Sequence, residues 1–249
     1  MVDQVGGELA APVDGGHLYQ QSSAPAGTYG AITLTHSLGS ALGVSANATG
    51  GWALDSADSA ELGNLVNNFT VMSWVFAPVS GVGDDWPRTI GDDQAAGSGR
   101  AGWNLGIRNK STITNSIALT GNSIAGHYSV SGVTTNGAWQ HIAATKSSTD
   151  GIKFYHNGVL VAGNTDYSGV TGDFNASSVA WAIGRANGAG NDSNINDLLM
   201  DEVRVYDNVL NTREIVGAAE AGQQVIPEPS SALLLSVFGA AGLFLRKRR

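Results

Sequence analysis

Short stretches of alternating polar and apolar residues follow one another along most of the chain, separated by Gly, Asn and Asp. The clearest is residues 69–76 (FTVMSWVF), in which both alternate sets of side chains are largely apolar. A strand with two apolar faces is typical of the centre of a layered protein, where both faces are covered. The pattern predicts an all-β protein, with further strands at residues 102–107, 116–119, 139–145, 180–184 and 201–206.

The sharpest local signal is Asn157-Gly158, which stands between two alternating apolar runs. Both residues tolerate a positive φ, so the pair predicts a two-residue type I′ hairpin turn. No long stretch has helical periodicity. The one helix expected before the C-terminal tail covers residues 211–221, with Asn211 or Thr212 as its N-cap and Glu214 in its first turns. A second, hydrophobic helix is expected in the apolar run at residues 232–245, as a short transmembrane segment.

Composition agrees with this fold class and excludes several functions. The chain has 34 Gly and only 14% charged residues, as a turn-rich β-protein does. Cysteine is absent, which excludes disulfides, thiolate catalysis and cysteine-ligated zinc. Four of the 13 basic residues end the chain, so residues 1–225 keep nine against 20 acidic residues (all 21 but Glu228), a net charge of −11. A surface this acidic is poorly suited to nucleic acid or anionic membranes, although it can gather divalent cations.

The C-terminal residues 227–249 have three parts in a fixed order. An uncharged apolar run at residues 232–245 is shorter than the roughly 20 residues that a membrane-crossing helix needs. It is flanked by a rigid tripeptide, Pro227, Glu228 and Pro229, and by a basic end, Arg246, Lys247, Arg248 and Arg249.

This tail resembles the PEP-CTERM sorting signal of Gram-negative bacteria. The resemblance implies an exosortase as a partner that recognises and cleaves the tail. It also implies export, with transient anchoring in the inner membrane by the C-terminal segment. Cations next to an apolar run favour the cytoplasmic side of a membrane, which places the residues before Pro227 outside the cytoplasm. The expected final location is the cell surface, the outer membrane or the extracellular matrix.

The other end of the chain does not match this expectation. Residues 1–20 have neither the basic region nor the apolar region of a signal peptide. Three explanations are open: a start assigned too late, a chain that is a fragment, or another route of export. We favour a true start that lies further upstream. Four parts are predicted: an N-terminal segment that is a candidate first strand, a domain, a linker and the sorting tail, at residues 1–29, 30–216, 217–226 and 227–249.

Five segments of the body, in order, resemble the LamG-like jelly roll of the concanavalin A-like lectin and glucanase superfamily. They are residues 68–75 (NFTVMSWV), 137–145 (GAWQHIAAT), 152–161 (IKFYHNGVLV), 182–185 (AIGR) and 201–207 (DEVRVYD), followed by Leu210, Glu214 and Ile215. The resemblance implies a two-sheet antiparallel sandwich that binds ligands on its concave face and end loops. Alternate inward side chains are expected to fill its core: Trp74, Phe76, Trp139, Ile142, Phe154, Trp181, Ile183, Val203 and Val205.

Catalysis is not expected. Glucanases of this superfamily carry an E-x-D-x-E run, whose period of two points the carboxylates to one face. The chain has no such run, and the adjacent Asp201 and Glu202 are expected to point to opposite faces. Arg204 and Asp201 are expected to have a structural pairing role, because a buried charge needs a partner. The histidines have no metal-binding spacing, and His141 is expected to be structural.

The expected function is a non-enzymatic binding module for polysaccharide or an extracellular protein. Two alternatives stay open: a glycan-active hydrolase with an unrecognised active site, and a purely structural matrix protein. Trp86, beside Asp84 and Asp85, is the leading candidate for stacking on a sugar ring, followed by Trp52, Trp103 and Tyr167.

The one cofactor considered is Ca²⁺, which takes six to eight oxygen ligands. A loop dense in carboxylate and amide oxygens supplies the candidate ligands Asn191, Asp192, Asn194, Asn196 and Asp197. A second acidic cluster pairs Asp84 and Asp85 with Asp92 and Asp93. A solvated turn is the alternative for such sequences, since turns favour the same residues.

Overall fold

The computed structural model describes residues 11–13, 18–44, 51–53, 56–78, 88–92, 101–110, 113–121, 127–163, 172–178, 181–184 and 198–222. These residues form two seven-stranded sheets, sheet I and sheet II, whose neighbouring strands are all antiparallel. They confirm the predicted all-β jelly-roll sandwich.

The order of strands in space differs from their order in the chain. Across sheet I the neighbours are β1 (Ala11–Val13), β6 (Gly51–Ala53), β15 (Trp181–Ile183), β8 (Arg88–Asp92), β9 (Trp103–Lys110), β10 (Ile113–Gly121) and β11 (His127–Tyr128). Across sheet II they are β14 (Val159–Val161), β13 (Gly151–His156), β12 (Trp139–Ser147), β7 (Phe69–Phe76), β16 (Leu198–Tyr206), β5 (Ser40–Val44) and β2 (Leu18–Ser22). A separate hairpin pairs β3 (Gly27–Tyr29) with β4 (Ile32–Leu34), and the helices are α1 (Ser56–Gly63) and α2 (Thr212–Glu220).

The main core lies between the two sheets. Phe69, Val71 and Val75 project into it from β7, and the Phe69 ring stacks on Trp103 of sheet I at 4.7 Å. Directly paired strand residues share a face, so the register of β9 and β10 brings Leu105 beside Leu119 on the core side. Sheet II supplies Ile142, Ala144, Ile152, Phe154, Leu198 and Met200, and sheet I supplies Ile90, Trp103, Leu105, Ile107, Ile117, Leu119, Trp181 and Ile183.

A further layer covers the outer face of sheet II, the face that points away from sheet I. There Trp74 is fully buried among residues of the β3–β4 hairpin and α2, and its Nε1 donates to the carbonyl oxygen of Ala219 at 3.2 Å. Trp139 packs against the same group. Trp74 and Trp139, expected in the core between the sheets, therefore belong to this outer layer. The prediction that β7 is covered on both faces is confirmed.

The predicted turn between β13 and β14 is confirmed and lies against the outer layer. Asn157 and Gly158 have φ of 50° and 74°, as a type I′ turn requires. The Asn157 carbonyl oxygen accepts from the backbone N–H of Ala31 at 2.9 Å, and a Cβ on Gly158 would lie 2.7 Å from Val216 Cγ2. The turn therefore has contacts with both parts of the cover.

Helix α2 begins at a complete capping box. The Asn211 side chain accepts from the backbone N–H groups of Arg213 and Glu214, and the Glu214 carboxylate accepts from the Asn211 N–H at 2.8 Å. Ile215 and Ala219 face sheet II and are buried. Within the described residues, neither helix is long and apolar enough to cross a membrane.

Candidate functional site

Most of the sequence-predicted site residues lie outside the described residues. They are the proposed sugar-binding group Asp84, Asp85 and Trp86, the proposed Ca²⁺ ligands Asn191, Asp192, Asn194, Asn196 and Asp197, and Tyr167. The sorting-signal residues Pro227, Glu228, Pro229, Arg246, Lys247, Arg248 and Arg249 lie outside them too, as does the apolar run at residues 232–245. These assignments stay predictions.

Two of the candidate side chains are described, and neither is available on the surface. Trp103 is 1% exposed, stacks on Phe69, and donates through Nε1 to the carbonyl oxygen of Leu65 at 2.8 Å. It is therefore a core residue and not a platform for a sugar ring. Asp92, from the second acidic cluster, is 5% exposed and accepts from the Ser177 hydroxyl at 3.2 Å. No cluster of three or more His, Asp or Glu side chains able to hold a metal occurs in the described ranges.

Asp201 and Glu202 do not follow the simple alternation of faces that was expected for adjacent strand residues, because β16 is irregular at this point. The register with β7 shifts between Asp201 and Arg204, and Glu202 has φ of 49°. This bulge breaks the simple alternation of faces. The Arg204 guanidinium reaches back to Glu202, with its Nη2 2.5 Å from Glu202 Oε2. The structural pair therefore joins Arg204 to Glu202, while the Asp201 carboxylate accepts the N–H of Glu202 at 2.8 Å.

A row of residues crosses the outer face of sheet II beneath the cover. His141 on β12, Trp74 on β7 and Asp201 on β16 are direct neighbours in the register. The His141 ring is fully buried 5.4 Å from the Trp74 ring, and burial first, then the charges of Arg204 and His156, lower its pKa to about 3. Burial is also the main cause that raises the pKa of Asp201 to about 6.

Together with the neighbouring Ser23, the His141 and Asp201 side chains of this row are the residue types of a nucleophilic triad, but they do not have its geometry. Ser23 lies beside Asp201 and His141 is on the far side of Trp74. Two strand spacings separate His141 from Asp201, about 10 Å between backbones, which is far beyond hydrogen-bond reach. Ser23 and His141 are 4% and 1% exposed. The row is therefore a buried structural feature, as expected for His141.

The outer face of sheet I has a different character. Gly91, Asn104 and Thr120 form one row across it, with Ala182 as the next neighbour, and Gly106 and Ala118 form a second row. We call these outward positions the sheet I floor: Gly91, Asn104, Gly106, Ala118, Thr120 and Ala182. Their side chains are small or carry amide and hydroxyl groups, and the Thr120 hydroxyl donates to Asn104 Oδ1. Small size has a local reason at Gly91, where a Cβ would lie 2.4 Å from Asn104 Cβ.

All six residues of the sheet I floor are buried, and more exposed residues lie beyond one end of it. Asn104 and Thr120 are only 8% and 4% exposed. Beyond them on β9 and β10, Arg108 and Asn109 are half-buried, Asn115 is half-buried and Thr114 is exposed. These four residues, which we call the open end, surround a bulge in β10 where Asn115 has φ of 51°. The Arg108 guanidinium lies 5.7 Å from the centre of the Tyr128 ring, a cation–π contact.

Sequence reasoning missed this floor although a signal was present. In β9 the residues Asn104, Gly106 and Arg108 alternate with three buried apolar ones, and β10 alternates in the same way. That pattern indicates a strand with one core face and one small or polar face. The sequence does not say which of two sheets is left uncovered by α2, so the pattern alone does not point to a site.

Comparison with known proteins gives matches to two family models. Residues 48–216 match the model of the concanavalin A-like lectin/glucanases superfamily, which is more than half of the chain. Residues 225–249 match the PEP-CTERM protein-sorting motif, which implies export, membrane transit and processing by exosortase. Both matches confirm the two resemblances noted in the sequence. The search of the curated proteins gave no significant match.

Solved structures with a similar fold have low sequence identity to this chain. Domain 4 of AbnA, an extracellular GH43 arabinanase from Geobacillus stearothermophilus in complex with arabinotriose, aligns with a TM-score of 0.51 and 17% identity, over 81% of this chain and 87% of that domain. The receptor-binding domain of botulinum neurotoxin mosaic serotype C/D aligns with a TM-score of 0.52 and 12% identity, over 83% of this chain and 46% of its own. At such identities the likeness shows the fold alone.

Proposed function

Because the chain belongs to the concanavalin A-like lectin/glucanases superfamily, we propose that it is an exported module that binds a polysaccharide without cleaving it. The observation that carries the proposal is the contrast between the two outer faces. Sheet II is covered by α2 and the β3–β4 hairpin, whereas the sheet I floor carries small, amide and hydroxyl side chains that lead to an accessible open end.

The chemistry of this face suits a saccharide. Sugars present many hydroxyl groups, which can be satisfied by hydroxyl side chains such as that of the exposed Thr114. The arabinanase domain with arabinotriose is a protein of the same fold that holds an oligosaccharide, and this supports a saccharide ligand here by analogy of fold only.

Binding is favoured over hydrolysis by the position of the acidic residues. Glycosidases generally need two carboxyl groups on either side of the bond that they cleave. In the described strands of sheet I the single acidic residue is Asp92, which pairs with the core residue Trp181 and is buried. Asp201 and Glu202 are on the other sheet, below α2 and Gly222. A hydrolase with an unrecognised site and a purely structural matrix protein are the alternatives.

The sorting motif supports a site of action outside the cytoplasm. Export and processing by exosortase bring the domain to the cell surface or into the extracellular matrix, where polysaccharides are abundant partners. An extracellular protein partner is the other ligand class that this location allows.

The proposal is tested by measuring binding and turnover with the same sample. The full chain is applied to a glycan array and, in parallel, incubated with β-glucans and arabinans while reducing ends are measured. We expect saturable binding to at least one polysaccharide and no release of reducing sugar. Sustained release would establish a hydrolase instead, and a flat array from a folded sample would favour a structural role or a protein partner.

A pair of matched variants locates the site. Thr114→Trp places a large side chain at the open end, whereas Thr28→Trp places the same side chain on the exposed strand β3 at the far side of the sandwich. We expect at least a tenfold loss of affinity, about 1.4 kcal/mol, for the first variant and no change for the second. Equal affinities of the two variants would show that the ligand binds elsewhere.

A further inference from the structure

The last turn of helix α2 is fixed to two other parts of the domain. Ala219 is 1% exposed in the cluster around Trp74, and its carbonyl oxygen accepts from Trp74 Nε1 at 3.2 Å. The Glu220 carboxylate accepts from the backbone N–H of Thr33 at 2.8 Å. The turn is therefore held both by sheet II and by the β3–β4 hairpin.

Gly222, two residues after the helix, is in close contact with the domain as well. A Cβ at this position would meet the Glu202 side chain, so a larger residue would have to displace it. Glu202 is itself held by the Arg204 guanidinium, whose Nε and Nη2 donate to its carboxylate at 3.0 Å and 2.5 Å. We call Ala219, Glu220 and Gly222, with these contacts, the C-terminal latch.

The sorting motif follows the C-terminal latch at a short distance. The matched motif covers residues 225–249, and four residues, 223–226 (QQVI), separate Gly222 from Pro227. An extended chain spans at most about 3.6 Å per residue, so Pro227 lies within about 18 Å of Gly222 in any conformation. An enzyme that cleaves the membrane-anchored tail therefore works next to the folded domain.

Access of a peptidase to this part of the chain depends on the state of the last turn. A peptidase needs an accessible segment, which packed and hydrogen-bonded residues do not supply. A helix end can open locally at a lower cost in free energy than unfolding of the whole domain. When opening and closing are faster than cleavage, the rate of cleavage follows the population of the opened form.

We propose that the C-terminal latch controls removal of the sorting tail, because exosortase acts on the form in which the last turn of α2 has left sheet II and the β3–β4 hairpin. The opening breaks hydrogen bonds and packing contacts but no covalent bond. A domain with α2 docked is then released from the membrane more slowly than one with α2 undocked. The inference rests on the processing that the sorting motif implies and is independent of the ligand.

A spacer tests the inference directly. About twelve Gly and Ser residues inserted between Gly222 and Gln223 add a mean reach of about 19 Å and move the motif away from the latch. The full chain and the spacer chain are exported in a Gram-negative host that contains exosortase, and a pulse–chase measures loss of the tail by mass. We expect removal at least fivefold faster from the spacer chain. Equal or slower removal would overturn the inference.

Two glutamates of α2 provide a matched pair of variants. Glu220→Ala removes the acceptor of the Thr33 N–H at the last turn, whereas Glu214→Ala removes the acceptor of the Asn211 N–H at the first turn, and both hydrogen bonds are 2.8 Å long. We expect Glu220→Ala to lose its tail at least threefold faster than the unmodified chain, since the opened form is more populated. Glu214→Ala should change the rate less than twofold. Equal acceleration by both would contradict a role of the last turn.

Combining the two changes checks that they act through the same step. In the spacer chain the C-terminal latch no longer limits access, so Glu220→Ala should have no further effect on the rate. An acceleration of the same size with and without the spacer would show that Glu220 acts in another way and would count against the latch. Melting temperatures of all the variants establish that they are folded, and glycan binding is measured separately, so the proposed function stands or fails on its own data.

Discussion

Asp201 has its carboxylate in surroundings that disfavour negative charge. Burial is the main cause, and the nearby Glu202 carboxylate adds to it, while Ser23, the N–H of Glu202 and Arg204 act in the opposite direction. The resulting pKa of about 6 compares with an ordinary value of 3.8. Between these two pH values the folded chain holds a proton that the unfolded chain has lost. The contribution of Asp201 to stability therefore falls as the pH rises through this interval.

Replacing Asp201 by Asn should remove this dependence. The Asn Oδ1 can still accept the N–H of Glu202, and the buried charge is gone. We expect Asp201→Asn to be more stable than the unmodified chain by about 2 kcal/mol at pH 7 and nearly equal to it at pH 4. Urea unfolding at both pH values measures the difference.

His141 changes the stability with pH in the direction opposite to Asp201. The contribution of Asp201 is therefore measured as the difference between Asp201→Asn and the unmodified chain. The pKa of His141 is lowered to about 3 from an ordinary 6.5, so between these values the unfolded state binds the proton and stability rises with pH. The pH profile of the unmodified chain contains both effects. If the free energies of unfolding of Asp201→Asn and the unmodified chain differed by the same amount at pH 4 and pH 7, this pH dependence would not come from Asp201.

At the scale of elements, the cover of sheet II is held by a few close contacts. The Asn157-Gly158 turn touches both α2 and the β3–β4 hairpin, and the Glu220 carboxylate accepts from the N–H of Thr33 at 2.8 Å. On the other side, the carbonyl oxygen of Asn208 accepts from the Thr70 hydroxyl at 2.8 Å, and this hydroxyl oxygen in turn accepts from the N–H of Leu210. The segment that leads into α2 is therefore joined to β7 of sheet II, and the last residue of the helix is joined to the β3–β4 hairpin.

Two glycines allow the contribution of the turn contact to be separated from that of its backbone angle. Gly158 and Gly132 have nearly equal φ of 74° and 77°, but a Cβ on Gly158 would meet Val216 at 2.7 Å, whereas a Cβ on Gly132 would meet nothing within 4 Å. We expect Gly132→Ala to cost about 1 to 2 kcal/mol through its backbone angle alone, and Gly158→Ala to cost at least about 1 kcal/mol more. Chemical denaturation of both variants tests this.

A third variant checks the cause of the extra cost. Combining Gly158→Ala with Val216→Ala removes the methyl group that the new Cβ would meet, so part of the loss should be recovered. If Gly158→Ala and Gly132→Ala were equally destabilised, the turn would not be in tight contact with α2.

The elements that could be predicted are those specified by local sequence. The strand at 69–76, the Asn157-Gly158 turn and the Asn211 cap depend on residues close together in the chain, and all three are confirmed. The bulge at Glu202 was not predicted, and its side chain makes a contact with a residue distant in the chain: a Cβ on Gly222 would lie 2.3 Å from Glu202 Cδ. The layer that contains Trp74 and Trp139 depends on where α2 docks. The open end was not predicted, because its position depends on which of the two sheets α2 covers.

At the scale of the whole molecule, the sandwich has one covered sheet and one sheet with an accessible end. This asymmetry leaves the outer face of sheet I as the binding surface that we propose among the described residues.

The Ca²⁺ prediction concerns Asn191, Asp192, Asn194, Asn196 and Asp197. A cation that binds only the folded chain raises its melting temperature by mass action. We expect a rise of several degrees when millimolar Ca²⁺ is added to a sample first stripped with chelator, and a smaller rise for Asp192→Asn with Asp197→Asn. Mg²⁺ at the same concentration is the control, since it prefers a smaller octahedral site. An unchanged melting temperature with Ca²⁺ would refute the prediction.

The pairing of β7 with β16 has a consequence for the order of events in the cell. These neighbours at the centre of sheet II are far apart in the chain, and the Ser73 hydroxyl donates to the carbonyl oxygen of Asp201 across 128 residues. Sheet II therefore stays incomplete until the ribosome has made nearly the whole domain, and pairing over such separations is slow. A chain that is still unfolded when synthesis ends is the form that can be threaded through a narrow translocation channel.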